Sequence, residues 1–250
     1  NNIGIGSNAL GGGSLAGGEF NVAVGYGALG ENTSGDYTVA IGYEASTAST
    51  TPGGSVIIGY QAGHDITTGG GHVFIGELAG DNFDTENWNV GIGKNSLGGP
   101  IAGGEYNVAI GRDTLGALTS GDNNIAIGYQ AGAAITSGGN NTLVGYLAGD
   151  AMTTAGSSVA VGRDSLGSVT EGGENTGIGY GALRDTTTGS QNLGVGYLAL
   201  EENISGTRNL AVGFQALENP DTENDNVAVG YEALGGAVAG AEYSVAIGNY

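Results

Sequence analysis

A glycine that closes an Ile-Gly or Val-Gly pair recurs along the whole chain at nearly fixed spacing. Eleven of the fourteen gaps between these anchor glycines are 17 residues long, one gap is 19 and two are 18. A period of this length indicates one supersecondary unit stacked on copies of itself. The sequence therefore predicts a solenoid of fifteen turns, anchored at Gly6, Gly25, Gly42, Gly59, Gly76, Gly93, Gly111, Gly128, Gly145, Gly162, Gly179, Gly196, Gly213, Gly230 and Gly248.

The residues before each anchor alternate in size. Counted from the anchor glycine, position −1 is Ile or Val in every turn, position −3 is mostly Val, Ile or Leu, and position −2 is mostly small. Large–small–large alternation is typical of a β-strand with two unlike faces. We expect the β-branched face to pack a thin core. Because a 17-residue turn encloses little volume, we expect the small face to lie against identical copies around a three-fold axis, which predicts a homotrimer.

The residues after each anchor predict a second short strand, typified by Tyr231–Leu234, followed by a polar reversal rich in Thr, Ser, Gly and Asp. Position +1 is aromatic in nine turns. Such a row either packs between neighbouring turns or copies, or stacks on the rings of a bound sugar, and its regular spacing favours packing. The tyrosines of this row are Tyr26, Tyr43, Tyr60, Tyr129, Tyr146, Tyr180, Tyr197 and Tyr231.

Position −4 is Asn in ten turns. Stacked at the entrance of each strand, these side chains are expected to form a ladder in which each amide bonds its neighbours above and below. Examples are Asn21, Asn107, Asn124, Asn141 and Asn226.

The run Asn-Val-Ala-Val-Gly-Tyr at residues 21–26 and its relatives that begin at Asn124 and Asn226 resemble the head repeats of trimeric autotransporter adhesins. They are equally similar to repeats in the tail fibres of tailed phages, as is the segment 140–149. The resemblance covers the whole chain. It implies an all-β, left-handed parallel β-roll that trimerises along its length and serves as a spacer and display surface. We therefore interpret residues 1–250 as a single repetitive segment of a longer fibre.

Charge and composition restrict the partners. The chain has 25 acidic and 5 basic residues, for a net charge of −20, which argues against nucleic acid and against an anionic membrane surface. Membrane insertion is not expected, because no apolar run approaches the ~18 residues of a span. The acidic surface favours an extracellular location, on a virion or cell surface.

No constellation of residues predicts catalysis or a bound cofactor. Two acidic loops are weak candidates for Ca²⁺, with a solvated loop as the alternative: Asp81, Asp84 and Glu86 in one, and Asp221, Glu223 and Asp225 in the other. His64 and His72 could flank a metal, although His72 occupies the Asn-ladder position, which favours a structural role. Phe83 and Trp88 share one atypical loop and are the candidates for a lateral recognition patch. Threonine runs such as 186–188 are interpreted as turns without register, unlike the ladders of ice-binding solenoids.

Three functions compete. The leading one is a non-enzymatic extracellular fibre segment, a phage tail-fibre or adhesin shaft that displays a recognition surface to a glycan or protein receptor on a host cell. The second is a self-assembling extracellular filament or matrix protein, built by end-to-end stacking of solenoids through unpaired strand edges. The third, a polysaccharide-cleaving enzyme on a β-solenoid, is disfavoured because five basic residues are scattered over 250.

Overall fold

The computed structural model describes residues 1–11, 18–100, 103–236, 240 and 242–249. They form two compact units, Asn1–Asn123 and Asn124–Tyr250, each of which is a stack of parallel turns. The described residues contain strands, turns and bends and no helix, so none of them could cross a membrane as a helix. The predicted all-β parallel solenoid with a repeat of about 17 residues is confirmed.

Each turn contributes one three-residue strand. The first unit carries β1 to β7, which are Ile3–Ile5, Val22–Val24, Val39–Ile41, Val56–Ile58, Val73–Ile75, Val90–Ile92 and Val108–Ile110. The second unit carries β8 to β15, which are Ile125–Ile127, Thr142–Val144, Val159–Val161, Thr176–Ile178, Leu193–Val195, Leu210–Val212, Val227–Val229 and Val245–Ile247. Within each unit, every strand pairs in parallel with the next strand along the chain.

Strand register follows the anchor glycines and not the spacing. Val22 lies opposite Val39 at the usual 17-residue separation, whereas Ile3 lies opposite Val22 and Val90 lies opposite Val108 across the longer gaps. The extra residues of a long turn are therefore accommodated in the loop before the strand, and each side-chain row continues without a break within its unit.

The prediction of which strand face lies inside is wrong. The small residues at position −2, such as Ala23, Ala40 and Ala109, are completely buried in the turn. The β-branched residues at positions −3 and −1 face outward, and Ile41 is 37% exposed. The reason is volume, because the interior of so short a turn has room for alanine and one larger side chain, but not for two β-branched rows.

Three positions share the interior of each turn, and their volumes compensate. Where position −2 is large, as at Phe74, position +4 is glycine, and a Cβ on Gly80 would lie 2.4 Å from the Phe74 ring. Phe83 at position +7 completes this aromatic core, with its ring centroid 4.9 Å from that of Phe74. Where position −2 is alanine, as at Ala211, Leu217 at position +4 fills the same space. The core is thus repacked turn by turn at nearly constant volume.

The predicted second strand is also wrong. Residues 231–234 form a turn, in which Glu232 and Leu234 both have φ of 51°. Positions +2 and +4 adopt this left-handed conformation in turn after turn, so the segment curls where a strand would extend. The ladder continues through it nevertheless, because the Glu232 N–H donates to the carbonyl of Phe214 in the preceding turn at 2.8 Å.

The anchor glycine is required by both conformation and space. Gly25 has φ of 137°, and a Cβ there would lie 2.1 Å from the carbonyl oxygen of Gly42 in the next turn. A side chain at this position would therefore prevent consecutive turns from stacking, which accounts for glycine at every anchor.

Candidate functional site

The outward strand residues form an apolar surface on each unit, here called the outer band: positions −3 and −1 of every turn. Its side chains are half-buried to exposed, because neighbouring rows cover only their flanks. Soluble monomers rarely expose contiguous apolar surfaces of this kind. The most exposed members away from the first and last strands are Ile41, Ile125, Ile127, Val161 and Ile178.

Position +1 forms the downstream margin of the outer band. In the first unit the rings of Tyr26, Tyr43 and Tyr60 stack at centroid distances of 5.2 and 5.3 Å. In the second unit Tyr180 and Tyr197 stack at 5.1 Å, and Phe214 and Tyr231 continue the column at the same spacing. The ring faces therefore contact each other, whereas the edges and hydroxyls reach solvent. A sugar that stacks on an aromatic face would find these faces covered.

Charged residues replace the aromatic ring at four turns of the margin. Arg163 lies between Tyr146 and Tyr180, with its guanidinium carbon 5.2 and 5.8 Å from the two ring centroids, so a cation continues the column. Glu77 and Lys94 form an ion pair at 2.8 Å. The fourth is Arg112, which pairs with its neighbour Asp113 at 3.0 Å. The Tyr43 hydroxyl, which hydrogen-bonds Glu44, has its pKa raised by that bond and by the carboxylate charge.

Position −5 forms the upstream margin, which sequence reasoning missed as a row. Its non-glycine residues have φ between about 56° and 60°, and several are large aromatics in this left-handed conformation. Phe20 and Tyr37 stack at 5.3 Å, and Trp88 lies over the backbone of Gly71, where a Cβ would approach its ring to 2.3 Å. The signal was available, because Phe20, Tyr106 and Tyr243 each follow a glutamate in the three turns with a longer gap.

The predicted recognition patch of Phe83 and Trp88 does not form. Trp88 is 59% exposed, whereas Phe83 is fully buried against Phe74 and His72. The loop bends so that position +7 enters the core while position −5 leaves it. Phe83 is therefore a core residue, and Trp88 belongs to the upstream margin.

The two acidic loops use their carboxylates to bond the protein itself. Glu86 is nearly buried, and its carboxylate accepts the N–H groups of Asp84 and Thr85 at 2.9 and 3.1 Å, and that of Gly103 in the next turn at 2.9 Å. Asp84 accepts the Thr67 hydroxyl. Burial raises the pKa of Asp81, which lies at position +5.

The second loop repeats this arrangement. Glu223 accepts the N–H of Thr222 at 3.1 Å and that of Gly240 in the next turn at 2.7 Å. Asp225 accepts two bonds from Arg208, at 2.6 and 2.7 Å, and this bonding lowers its pKa. In the described part of the chain no three His, Asp or Glu side chains converge as metal ligands would. Both buried glutamates precede an 18-residue turn, where they bond the loop that carries the extra residue.

The Asn row lies inside the turn. Asn141 is representative: its Oδ1 accepts the Ser158 N–H at 3.0 Å, and its Nδ2 donates to the carbonyl of Ala155 at 3.0 Å and to Oδ1 of Asn124 at 3.0 Å. Asn21 and Asn124 make the same pair of bonds, to the backbone N–H of the next turn and to a carbonyl 14 residues ahead. Asn107 donates to the carbonyl of Gly121, and Asn226 accepts the Ser244 N–H.

His72 occupies the Asn position in its turn and reproduces the bonding of asparagine. Its Nδ1 accepts the Asn89 N–H at 3.3 Å, and its Nε2 lies 2.9 Å from the Glu86 carbonyl. Burial among aromatic rings lowers its pKa to about 4. His64 is part-exposed and bonds Asp65 at 2.6 Å, so the two imidazoles do different work.

The interpretation of the threonines as unregistered is wrong. Position +8 is threonine in successive turns, and its hydroxyl donates to the carbonyl of position +8 in the next turn, from Thr136 to Thr153 at 3.2 Å and from Thr153 to Thr170 at 3.0 Å. The row was hidden because adjacent threonines in the sequence belong to different positions of the turn.

Cavities on the described surface are shallow. One open depression of about 310 Å³ is lined by Gly156, Ser157, Gly173, Glu174, Ser190 and Gln191, and the Glu174 carboxylate there accepts a bond from the Gln191 amide at 2.9 Å. No protein-family model matches the chain, and neither a curated protein nor a solved structure matches it. The argument for function therefore rests on the outer band and its margins.

Proposed function

We propose that the chain is a non-enzymatic extracellular fibre segment, a phage tail-fibre or adhesin shaft, built as a left-handed roll that trimerises through the outer band. It would hold or display a surface that recognises a glycan or protein receptor on a host cell. The observation that carries this proposal is the outer band itself. Every strand turns two β-branched or similar apolar residues outward, and they lie in continuous rows along each unit.

The band favours association by its energetics. Completing the burial of a one-third exposed Ile or Val is worth roughly 0.5–1 kcal/mol, which accumulates over the turns of each unit. A net charge of −20 opposes non-specific clumping, so association is directed to the face where charge is scarce. The interface thus moves from the small face, where the sequence placed it, to the β-branched face.

The solution mass by light scattering over a concentration series tests this proposal. A fixed mass of three chains is expected. Ile127→Lys with Ile178→Lys should reduce that mass to one chain, whereas the matched pair Ser137→Lys with Thr188→Lys, on the exposed polar loops, should leave it unchanged. A single-chain mass for the unaltered protein would overturn the trimer.

The alternative is a filament or matrix protein that grows by end-to-end stacking. It is favoured by strands β1 and β15, each of which pairs along one edge within the described residues, with Ile5 and Ile247 strongly exposed. A mass that climbs with concentration, and electron micrographs of lengthening rods, would put this function first. Shortening of a host polysaccharide on incubation would contradict the non-enzymatic proposal.

A further inference from the structure

The two margins of the outer band lie at opposite ends of the same outward-facing segment. In the turn of Gly93, residues 88, 90, 92 and 94 point out, while Asn89 is buried and Gly91 faces the core, where a Cβ would lie 3.1 Å from the Phe74 ring. Trp88 and Lys94 are separated by six residues, which span up to about 20 Å in extended chain. The upstream and downstream margins of one turn therefore cannot contact each other within one chain.

Rotational symmetry would bring them together. If copies are related by an axis parallel to the stacking direction, the downstream margin of one copy meets the upstream margin of the next. Closure of the ring forbids any shift along the axis, so residues of the same turn meet. An antiparallel pair would instead place each margin against its own counterpart.

The last two turns of the first unit carry complementary chemistry across this contact. Trp88 and Tyr106 on the upstream margin are 59% and 55% exposed. Lys94 and Arg112, in the same two turns of the downstream margin, have side chains 49% and 61% exposed. Within the described residues the cation–π contacts are those of Arg163, so these two aromatics and two cations do not meet one another inside the chain.

The ion pairs that Lys94 and Arg112 already make do not compete strongly. Lys94 bonds Glu77 and Arg112 bonds Asp113, all on the surface, where such pairs contribute about 0–1 kcal/mol. These carboxylates hold the two cations along the margin. A cation placed over an aromatic face gains about 0.5–2 kcal/mol, more as water is excluded.

The other turns of the first unit are compatible with the same alignment. Tyr26 would meet Phe20, and Tyr43 would meet Tyr37, which are aromatic pairs. The glycines of the upstream margin leave room for the remaining downstream side chains, since Gly54 would face Tyr60 and Gly71 would face Glu77. No like charges meet in this register.

We propose that Lys94 and Arg112 of one copy pack on Trp88 and Tyr106 of a second copy of this chain, and that these contacts set a parallel, unshifted register between copies. The inference rests on the proposed association through the outer band and adds to it the orientation, the alignment and the contact residues. The recognising chemistry is cation on aromatic, supplied twice in adjacent turns.

Cysteine pairs in the full chain test the register, because the chain has no cysteine of its own. The variant Trp88→Cys with Lys94→Cys is treated with a short bis-maleimide, as are the one-turn-shifted pairs Tyr106→Cys with Lys94→Cys and Trp88→Cys with Arg112→Cys. We expect the unshifted pair to give covalent rings of the full oligomer, at least five-fold more abundant than with either shifted pair. Each single variant should give no cross-linked product.

The outcomes separate this inference from the proposed association. If light scattering finds the oligomer but a shifted pair cross-links best, or Trp88→Cys alone gives covalent dimers, the register is overturned and the association stands. If the sample is a single chain, the association and the register both fail. The tryptophan gives a second readout, since it is the one in the chain. Lys94→Ala should shift Trp88 emission to longer wavelength and raise its quenching by acrylamide, whereas Arg163→Ala should not; no difference between the two variants would contradict the contact.

Discussion

Acid is expected to destabilise the chain through one buried side chain. His72 is 1% exposed and is packed against Phe74, with ring centroids 4.7 Å apart. In its neutral form Nε2–H donates to the Glu86 carbonyl, and the bare Nδ1 accepts the Asn89 N–H. Protonation of Nδ1 would therefore replace an accepted hydrogen bond with two opposed N–H groups in a site that excludes water.

The sign and size follow from linkage. Burial lowers the pKa of His72 from 6.5 to about 4, so the unfolded chain takes up a proton at a pH where the folded chain does not. The free energy of unfolding is therefore unaffected above pH 6.5, falls as the pH drops from 6.5 to about 4, and changes no further below that through this group. At about 1.4 kcal/mol for each pH unit, the loss is roughly 3 kcal/mol.

The matched variant is His72→Asn, which restores the residue found at this position in ten other turns. Denaturant unfolding of both proteins at pH 7 and pH 4.5 isolates the histidine, because the many carboxylates titrate alike in the two. The unaltered protein should lose roughly 2–3 kcal/mol more than the variant. An NMR titration that places the His72 ring near 6.5 in the folded protein, or equal acid losses for both proteins, would refute the reasoning.

Three further substitutions test the core, the ladder and the margin. Gly80→Ala should cost roughly 2–4 kcal/mol, from left-handed backbone and overpacking against Phe74, and Phe74→Ala with Gly80→Leu should recover much of it in the denaturant midpoint. Asn141→Ala should cost roughly 2–4 kcal/mol because it strands buried polar groups, and Asn141→Ser less; equal costs would contradict the ladder argument. Tyr43→Ala removes two stacking contacts and Tyr26→Ala one, so their losses should differ by roughly 0.5–1.5 kcal/mol in thermal unfolding.

The period of the sequence was enough to predict the solenoid, its turn length and the polar ladder. A glycine every 17 residues leaves few alternatives, since any other arrangement would break the stacking of equal turns. The second strand was not predictable from the pattern, because a left-handed residue at positions +2 and +4 needs no special residue type there. Glutamate and leucine both adopt it, at Glu232 and Leu234.

The inside of the sheet could not be assigned from alternation, because alternation defines two faces without saying which is buried. The sequence does hold the answer in another form. Leucine at position +4 accompanies alanine at position −2, as in Leu217 with Ala211, whereas glycine at position +4 accompanies a large residue there, as in Gly80 with Phe74. Two positions that exchange volume must share one cavity, so position −2 has to face the core.

That assignment decides what the molecule presents to its surroundings. With alanine inside, each turn is complete without a partner, and the Val and Ile rows become an external apolar face. Aromatic rings and cations concentrate at the margins of that face, at Trp88, Lys94, Tyr106 and Arg112. A surface that needed only solubility would place charge on the rows themselves, where a single lysine per turn would suffice. The distribution instead keeps the centre apolar and puts the specific chemistry at the edges, as expected of a face that a further copy of the chain covers.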